Sequence, residues 1–284
     1  MKNFCPVALS LALTLSASAQ SILQSAGNFT LLGGSAISST ATAGTVISNG
    51  NVGLSPTAES AITGFPPALI TNGAIVATGG VTAQARADLI IAATGLAGMT
   101  PTSNLTGLNL GGMTLTPGVY SFTSTAFLTG ALILDAQGQN NVAWVFQIGT
   151  SLATAAASSV TFTNFGSNSG SDLGVFWNAG TTIGGGVNSL IAGNYLAGTS
   201  ITFGNLVHGG GRGLALSAIT LDNDHINALG GPGGGDLTGG LTLGPGNSVI
   251  LSSVPEPAAV LWLAPLGALG FACWRRSVRG KRVS

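Results

Sequence analysis

The side chains best suited to acid–base or metal chemistry are few in this sequence. Its two histidines, His208 and His225, each lie beside a turn, and no cysteine or serine motif is near them. Asp222 and Asp224 are spaced like the carboxylate pairs of polysaccharide-cleaving β-helices, although Asp in a turn commonly binds its own backbone. We therefore interpret the histidines as turn residues and predict no catalytic residue, no metal-ligand set and no cofactor.

Two further motifs do not favour a small-molecule site. The glycine clusters lack the Gly-Lys-Ser/Thr ending that phosphate binding requires. Trp144 and Trp177 lie within apolar segments, which indicates a core position rather than a sugar-stacking surface.

Hydroxyl side chains are more promising candidates for the groups that contact a ligand. In segments such as Ser200-Ile201-Thr202-Phe203, small polar and large apolar residues alternate, which sends one row inward and the Ser and Thr row outward. Hydroxyls and methyls at fixed spacing on a rigid, uncharged surface can match ordered water, although outward Thr also suits a strand for packing alone. The candidate residues are Ser151, Thr154, Thr182, Ser200, Thr202 and Thr220.

Short apolar segments, each followed by Gly, Ser, Thr or Asn, must position these hydroxyls. Each is too short for a helix and is rich in β-branched or aromatic residues, so each predicts a strand closed by a turn. Strands at loosely regular intervals, none able to bury its apolar row alone, favour a β-solenoid in which each coil covers the next. The segments are Ala131-Leu132-Ile133-Leu134, Val142-Ala143-Trp144-Val145-Phe146, Ser159-Val160-Thr161-Phe162, Leu173-Gly174-Val175-Phe176-Trp177, Ser189-Leu190-Ile191-Ala192, Ser200-Ile201-Thr202-Phe203, Gly213-Leu214-Ala215-Leu216 and Ala218-Ile219-Thr220-Leu221.

One helix is predicted to pack along the side of the strands. Residues 81–96 are rich in Ala, Gln, Arg, Leu and Ile, and glycines flank them on both sides. The apolar stripe at helical spacing consists of Val81, Ala85, Leu89 and Ala92 or Ala93.

The composition predicts an exported protein whose partners are not bound by charge. Only 6% of the 284 residues are charged, against about 25% in average globular chains, and 45 are glycine. Between residues 20 and 253 there are two basic and seven acidic side chains, so no basic groove is available for phosphates. This charge balance argues against nucleic-acid binding.

Residues 1–19 have the pattern of a secretory signal peptide. A single lysine precedes an apolar run, and Ala17-Ser18-Ala19 is a small-residue cleavage site for signal peptidase. Cys5 lies in this peptide and Cys273 in the C-terminal apolar run, so the mature body, residues 20–227, is predicted to fold without a disulfide. Residues 228–253 are rich in Gly, Ser and Thr and predict a flexible linker.

The C-terminal residues, 254–284, carry a specific local pattern. Pro255-Glu256-Pro257 precedes the uncharged run 258–274, which is about 25 Å long as a helix, near the lower limit for crossing a membrane, and an arginine cluster follows. A simple tail anchor with its basic end in the cytoplasm is one interpretation. The order also closely resembles the PEP-CTERM sorting signal of Gram-negative bacteria. That resemblance implies transient membrane anchoring, processing by an exosortase, and release to the envelope or an exopolysaccharide matrix.

The body itself resembles the DUF3494 ice-binding proteins over about residues 25 to 227. The landmarks that carry the resemblance occur in order and are Ser25-Ala26-Gly27-Asn28-Phe29, Asn51-Val52-Gly53-Leu54-Ser55-Pro56, Ile62-Thr63-Gly64-Phe65-Pro66-Pro67, Ala83-Gln84-Ala85-Arg86-Ala87-Asp88-Leu89, Leu115-Thr116-Pro117-Gly118-Val119-Tyr120, Leu132-Ile133-Leu134-Asp135-Ala136-Gln137-Gly138, Val145-Phe146-Gln147-Ile148-Gly149 and Ile219-Thr220-Leu221-Asp222. The resemblance implies a discontinuous three-faced β-helix with one long α-helix alongside, and neither a catalytic centre nor a cofactor.

The resemblance also implies where ice would bind. Family members that bind ice use a flat face with Thr-Ala/Gly-X-Thr/Asn loops. In this sequence Thr154-Ala155-Ala156-Ala157 keeps the first half of that pattern, whereas Gly184-Gly185-Gly186-Val187 and Gly204-Asn205-Leu206-Val207 depart from it.

These observations together predict a secreted, mainly β, irregular three-faced β-solenoid that adsorbs to ice or ordered water through Ser and Thr side chains. One alternative is an extracellular matrix or adhesion protein that has the same fold and no ice activity. A polysaccharide-active enzyme is a third interpretation, which a convergent carboxylate cluster would favour.

Overall fold

The computed structural model describes residues 21–40, 44–77 and 79–252. The predicted signal peptide, sorting signal and membrane segment, at 1–19, 254–284 and 258–274, lie outside the described residues. Inside them, no helix has both the length and the apolar composition that crossing a membrane requires.

Short strands make up most of the described chain, in agreement with the predicted mainly β class. In chain order they are β1 Phe29–Gly33, β2 Ala36–Ser39, β3 Val46–Ser48, β4 Asn51–Leu54, β5 Ile62–Thr63, β6 Leu69–Thr71, β7 Ile75–Ala77, β8 Ser103–Asn104, β9 Thr114–Leu115, β10 Gly118–Phe122, β11 Ala126–Leu128, β12 Ala131–Asp135, β13 Ala143–Ile148, β14 Leu152–Thr154, β15 Ser159–Thr163, β16 Gly174–Ala179, β17 Ile183–Gly185, β18 Leu190–Ala197, β19 Ile201–Phe203, β20 His208–Ala215, β21 Ala218–Leu221, β22 His225–Asn227, β23 Leu241–Leu243 and β24 Val249–Leu251.

Parallel pairing stacks the first 22 of these strands into the three faces of a solenoid. The helix face consists of β8, β10, β13, β16, the second halves of β18 and β20, β1, β4 and β7. The hydroxyl face consists of β11, β14, β17, β19, β21, β2 and β5. The histidine face consists of β9, β12, β15, the first halves of β18 and β20, β22, β3 and β6.

Two glycines bend β18 and β20 from one face into the next. Gly193 and Gly211 pair with each other, and each has a φ of 126°, which L side chains rarely adopt. A Cβ atom on Gly211 would lie 1.8 Å from the carbonyl oxygen of Gly193. Because glycine permits both the bend and the close stacking, the helix and histidine faces form one continuous sheet.

The coils of the solenoid do not follow chain order. β1 pairs with β20 on one side and with β4 on the other, so the N-terminal coils extend the stack beyond the last C-terminal coil. The single α-helix of the described residues, α1 (Gly80–Ala97), then returns the chain to the opposite end, where β8 begins. Its 18 residues span about 27 Å, or roughly six coils. The predicted helix and the discontinuous three-faced solenoid are confirmed.

The helix packs on the helix face by a stripe that begins one residue later than predicted. Val81 is 61% exposed, whereas Thr82 is 1% exposed. The buried positions advance by alternating steps of three and four residues, which keeps them on one side of a helix with 3.6 residues per turn. They are Thr82, Ala85, Leu89, Ala92 and Leu96, and Asp88, next to Leu89, is buried as well.

Aromatic rings stacked from coil to coil fill the interior. Tyr120, Phe146, Trp177 and Tyr195 are paired neighbours on successive strands of the helix face. Their ring centres lie 5.7, 3.9 and 5.8 Å apart in that order, and their planes are close to parallel. This stack links four coils into one rigid core, because each ring is in contact with the next.

The segment predicted to be a flexible linker packs instead on the body. Within 228–252, β23 and β24 form an antiparallel pair, and Leu237, Leu241 and Val249 are buried. The backbone carbonyl of Leu237 accepts hydrogen bonds from the side chain of Asn194 at 2.7 Å and from the N–H of Val175 at 3.0 Å. The glycine-rich composition concealed these few apolar anchors, and the prediction of a linker is wrong for the described residues.

Candidate functional site

The three faces differ in what covers them. The helix face is covered by α1, whose Leu89 packs into a core cluster shared with that face. A C-terminal loop crosses the histidine face closely enough that a Cβ atom on Gly210 would lie 2.3 Å from the carbonyl carbon of Gly230. The hydroxyl face is open to solvent at Thr182 and Thr202. It therefore offers a continuous accessible surface across seven parallel strands.

A ladder of aliphatic side chains supports the hydroxyl face from within. One residue from each of six successive strands points inward and is at most 9% exposed. Because these residues pair in register, the strand above each of them is held at the regular spacing of a parallel sheet, about 4.7–4.9 Å. The ladder residues are Leu152, Ile183, Ile201, Ile219, Ile37 and Ile62.

The central column of outward side chains runs along the middle of the face. Its members pair in register from strand to strand, and two of the predicted site residues, Thr202 and Thr220, are neighbours in it. Within the described part of the chain, the hydroxyl groups of Thr202 and Thr220 have no hydrogen-bond partner, so they are available to water. The column consists of Phe127, Ala153, Gly184, Thr202, Thr220, Ser38 and Thr63.

A second column lies two residues earlier on each coil and contains three more predicted residues. Ser151, Thr182 and Ser200 occupy adjacent coils, because the N–H groups of Leu152 and Ile183 donate to the carbonyls of Thr182 and Ser200. The hydroxyls of Ser151 and Thr182 lie 2.9 Å apart and share a hydrogen bond. This column consists of Thr125, Ser151, Thr182, Ser200, Ala218 and Ala36.

A third column of hydroxyls follows the corner between the helix and hydroxyl faces. From Thr181 onward, each member donates its backbone N–H to the carbonyl of the member on the preceding coil, at 2.7 to 2.9 Å. The side chain of Thr181 also lies 2.9 Å from the hydroxyl of Ser151, which joins this corner to the second column. The members are Thr150, Thr181, Thr199, Ser217 and Ser35.

The structure gives Thr154 a different environment from the other five predicted residues. It pairs with the inward-facing Leu128 at the far corner of the hydroxyl face. Its hydroxyl donates to the carbonyl of Gly184 at 3.2 Å and accepts from the N–H of Gly186 at 2.7 Å. The side chain thus joins two coils, and its hydroxyl has little capacity left for an external ligand.

The residues considered for catalysis do not assemble an active site. Asp224 is fully buried and accepts hydrogen bonds from the N–H groups of Asp222 and Val207, each at 2.8 Å, as the turn interpretation predicts. Burial raises the pKa of the Asp224 carboxyl to about 7. Throughout the described residues, no group of three or more His, Cys, Asp or Glu side chains converges.

The two histidines, in contrast, are neighbours rather than isolated turn residues. His208 on β20 pairs directly with His225 on β22, and the centres of their rings lie 4.7 Å apart. Their separation of 17 residues in sequence is one coil of the solenoid, a distance that sequence reasoning did not identify.

Sequence reasoning also missed the corner column and Thr125. A recurring signal was present, because a glycine directly precedes the corner hydroxyl in Gly149-Thr150, Gly180-Thr181, Gly198-Thr199 and Gly34-Ser35. The irregular spacing of these pairs along the chain hid their common place in the coil.

Most of the solenoid is similar to known proteins. A family described as "Ice-binding-like" matches residues 31–227. An ice-binding protein of Nostoc sp. (strain HG1) is 44% identical over 209 residues, which cover 73% of this chain and 74% of that protein. The crystal structure of an ice-binding protein from the Antarctic ascomycete Antarctomyces psychrotrophicus aligns with a TM-score of 0.66 and 33% identity, over 73% of this chain and 98% of that one. An ice-binding protein with antifreeze activity from an Arctic yeast aligns with a TM-score of 0.65 and 26% identity, over 73% and 94% of the two chains.

Proposed function

Because this chain belongs to the ice-binding-like family, we propose that it binds ice and that the hydroxyl face is the surface that adsorbs. The relatives indicate the ligand, and the arrangement of the face indicates the location. The single observation that carries the location is the set of three columns, in which hydroxyl and methyl groups, interrupted only at Phe127 and Gly184 of the central column, repeat at about 4.7–4.9 Å from coil to coil. None of the columns contains a charged side chain.

The physical argument concerns how water lies on such a surface. A charged side chain holds a strong hydration shell, which would have to be stripped before a crystal plane could approach. Unpaired hydroxyls such as those of Thr202 and Thr220 instead hydrogen-bond to water individually, and the methyl groups beside them leave that water free to take lattice positions. The ladder beneath the face and the stacked aromatic rings fix the array before ice arrives, so adsorption costs little ordering of the protein.

Replacing Thr202 by Lys tests the location directly. We expect T202K to abolish inhibition of ice recrystallisation, because a long hydrated side chain in the central column would hold the whole surface away from the lattice. Stability should change by less than about 0.5 kcal/mol, since the side chain is exposed. The matched control is T161K, which makes the same change at an exposed strand position on the histidine face and should keep activity.

Two other results would contradict the proposed location of the ice-binding surface or the proposed ligand. Loss of activity in T161K together with full activity in T202K would assign the ice surface to the histidine face. A wild-type protein that neither slows recrystallisation nor shapes ice crystals, yet binds cells or exopolysaccharide, would favour the matrix or adhesion alternative.

We also propose that the protein is exported and acts outside the cell without catalysis. The support is the signal-peptide pattern at 1–19 and the Pro-Glu-Pro pattern with its apolar run and arginine cluster at 254–284. On this proposal an exosortase removes the C-terminal segment, and the exopolysaccharide matrix is a second partner. Mass spectrometry of the protein from a Gram-negative host tests it, because retention of residues 1–19 in the mature protein would contradict export by this route.

A further inference from the structure

The histidine face carries a pair of imidazoles that the ice-binding surface does not use. His208 and His225 occupy paired positions on adjacent parallel strands, His225 is exposed, and His208 is half-buried. They are the two histidines of the chain, and the solenoid brings them together although a full coil separates them. We propose that this pair is a chelating site for a late divalent transition metal such as Zn²⁺, Ni²⁺ or Cu²⁺.

The distance between the rings fits two ligands of one ion. A metal–nitrogen bond of about 2.0–2.1 Å places the centre of a coordinated imidazole roughly 3 Å from the metal. Two such rings at the roughly 90–110° of square-planar or tetrahedral coordination have centres roughly 4.5–5.3 Å apart. The observed 4.7 Å lies within that interval.

The backbone holds the two ligands in place before a metal arrives. His208 and His225 belong to strands that also pair through Gly209–Ile226 and Gly210–Asn227, so their Cα atoms cannot separate without breaking the sheet. Binding a metal therefore has to fix little more than the side-chain rotamers of the two histidines, and this low entropic cost favours affinity for the metal.

The residues around the two histidines favour metal binding over pairing of the imidazoles with another charged group. The pair lines an open hollow of about 550 Å³, bounded by β15, β18 and the C-terminal loop at Pro232. No Lys, Arg, Asp or Glu is among the described residues that line the hollow, so no cation repels the metal and no carboxylate pairs with the imidazoles. The neighbours of the pair along the same row are Leu190 and Val46, neither of which carries a charged or metal-ligating group.

Ligand type and number set the class of metal. Imidazole suits Zn²⁺, Cu²⁺ and Ni²⁺, whereas Mg²⁺ and Ca²⁺ require oxygen ligands. Two protein ligands are fewer than a closed structural zinc site has, so water completes the coordination and the metal exchanges with solvent. Such a site links two neighbouring coils and is not required for folding.

Titration of the full chain with zinc chloride tests the proposal. The background should carry Cys5→Ser and Cys273→Ser and no affinity tag, so that His208 and His225 are the only strong nitrogen or sulfur side-chain ligands. We expect one Zn²⁺ per chain at pH 7.5 by calorimetry, and at least tenfold weaker binding in H208Q and in H225Q. Leu190→Ala is the matched control, because it changes a neighbour of the pair in the same row and should leave affinity within about twofold.

Further measurements keep the proposal falsifiable if a variant folds poorly. In the unsubstituted pair, zinc should shift the ring resonances of both histidines, and removal of the zinc by excess chelator should reverse the shift. Binding that survives either single substitution, or that moves one ring only, would overturn the proposal. T202K should retain zinc binding and H208Q should retain ice activity, so the proposal does not depend on the ice-binding function.

Discussion

Individual hydroxyls of the hydroxyl face differ in how much bonding capacity they retain. Thr154 uses its hydroxyl to join two coils, and Ser151 is bonded to Thr181 and Thr182. Thr202 and Thr220 retain theirs, which is why the central column carries the proposed function. Gly184 interrupts this column between Ala153 and Thr202, and it begins one of the two segments that depart from the Thr-Ala/Gly-X-Thr/Asn pattern implied by the resemblance.

A threonine at position 184 should make the central column continuous there and strengthen ice binding. A Cβ atom on Gly184 would meet only the carbonyl oxygen of Leu152, at an ordinary 3.8 Å, so Gly184→Thr fits without strain. We expect G184T to inhibit recrystallisation at lower concentration than the wild type and to gain about 0.5–1 kcal/mol of stability, since Gly in a strand is costly. The control is Gly185→Thr, whose Cβ would lie 2.9 Å from a ring carbon of Phe203 and should destabilise. Unchanged or weaker activity in a stable G184T would argue against the central column.

Asp224 makes stability depend on pH in a direction opposite to that of most carboxylates. The ordinary pKa of 3.8 rises to about 7 in the fold, so between these values the folded state binds more protons than the unfolded state. The free energy of unfolding should therefore fall, by about 1–3 kcal/mol, as the pH rises from 4 to 7, and should level off above 7.

Asp224→Asn isolates this effect. The amide cannot accept both backbone N–H groups, so the variant should be less stable at every pH, but its decline between pH 4 and 7 should be smaller than that of the wild type. Denaturant unfolding across the pH series measures both slopes. Equal slopes would mean that the carboxyl ionises normally in the folded state.

At the scale of elements, side-chain hydrogen bonds attach the segments that do not belong to the coils. Gln147 donates to the carbonyls of Leu96 and Met99 at the end of α1, at 2.7 and 2.8 Å. Arg212, 5% exposed, donates to the carbonyls of Gly27 and Asp236, so one buried cation joins the N-terminal turn and the C-terminal segment to β20. These bonds satisfy backbone carbonyls that lie outside the sheet, at the helix end and in the terminal segments.

The C-terminal hairpin of β23 and β24 should prove part of the folded body. Deleting residues 228–284 removes Leu237, Leu241 and Val249 from the core and leaves Arg212 without Asp236, which should lower the Tm by roughly 10 °C or more. A chain that ends at Pro257 keeps these contacts and should melt like the described body. Calorimetry distinguishes the two, and identical melting temperatures would restore the interpretation of 228–252 as a linker.

At the scale of the whole molecule, chain order and spatial order differ, and this difference assembles the hydroxyl face. Ser38 and Thr63, near the N-terminus, continue the central column beyond Thr220 because β2 pairs with β21 and β5 pairs with β2. The return of the chain along α1 makes this possible. The helix also occupies one face, so the ice-binding surface must lie on one of the other two.

The sequence by itself determined the main strand-forming segments, the helix and the mainly β class, because short apolar segments and helix-flanking glycines act locally, whereas the three-faced solenoid was implied by the resemblance to a family. It also identified five hydroxyls that the structure places together on one face, namely Ser151, Thr182, Ser200, Thr202 and Thr220. Tertiary structure alone decided the inward position of Thr154, the pairing of His208 with His225 and the docking of Leu237. Each of these depends on register between coils that lie 17 or more residues apart, and register is set by the packing of the whole stack rather than by any local pattern.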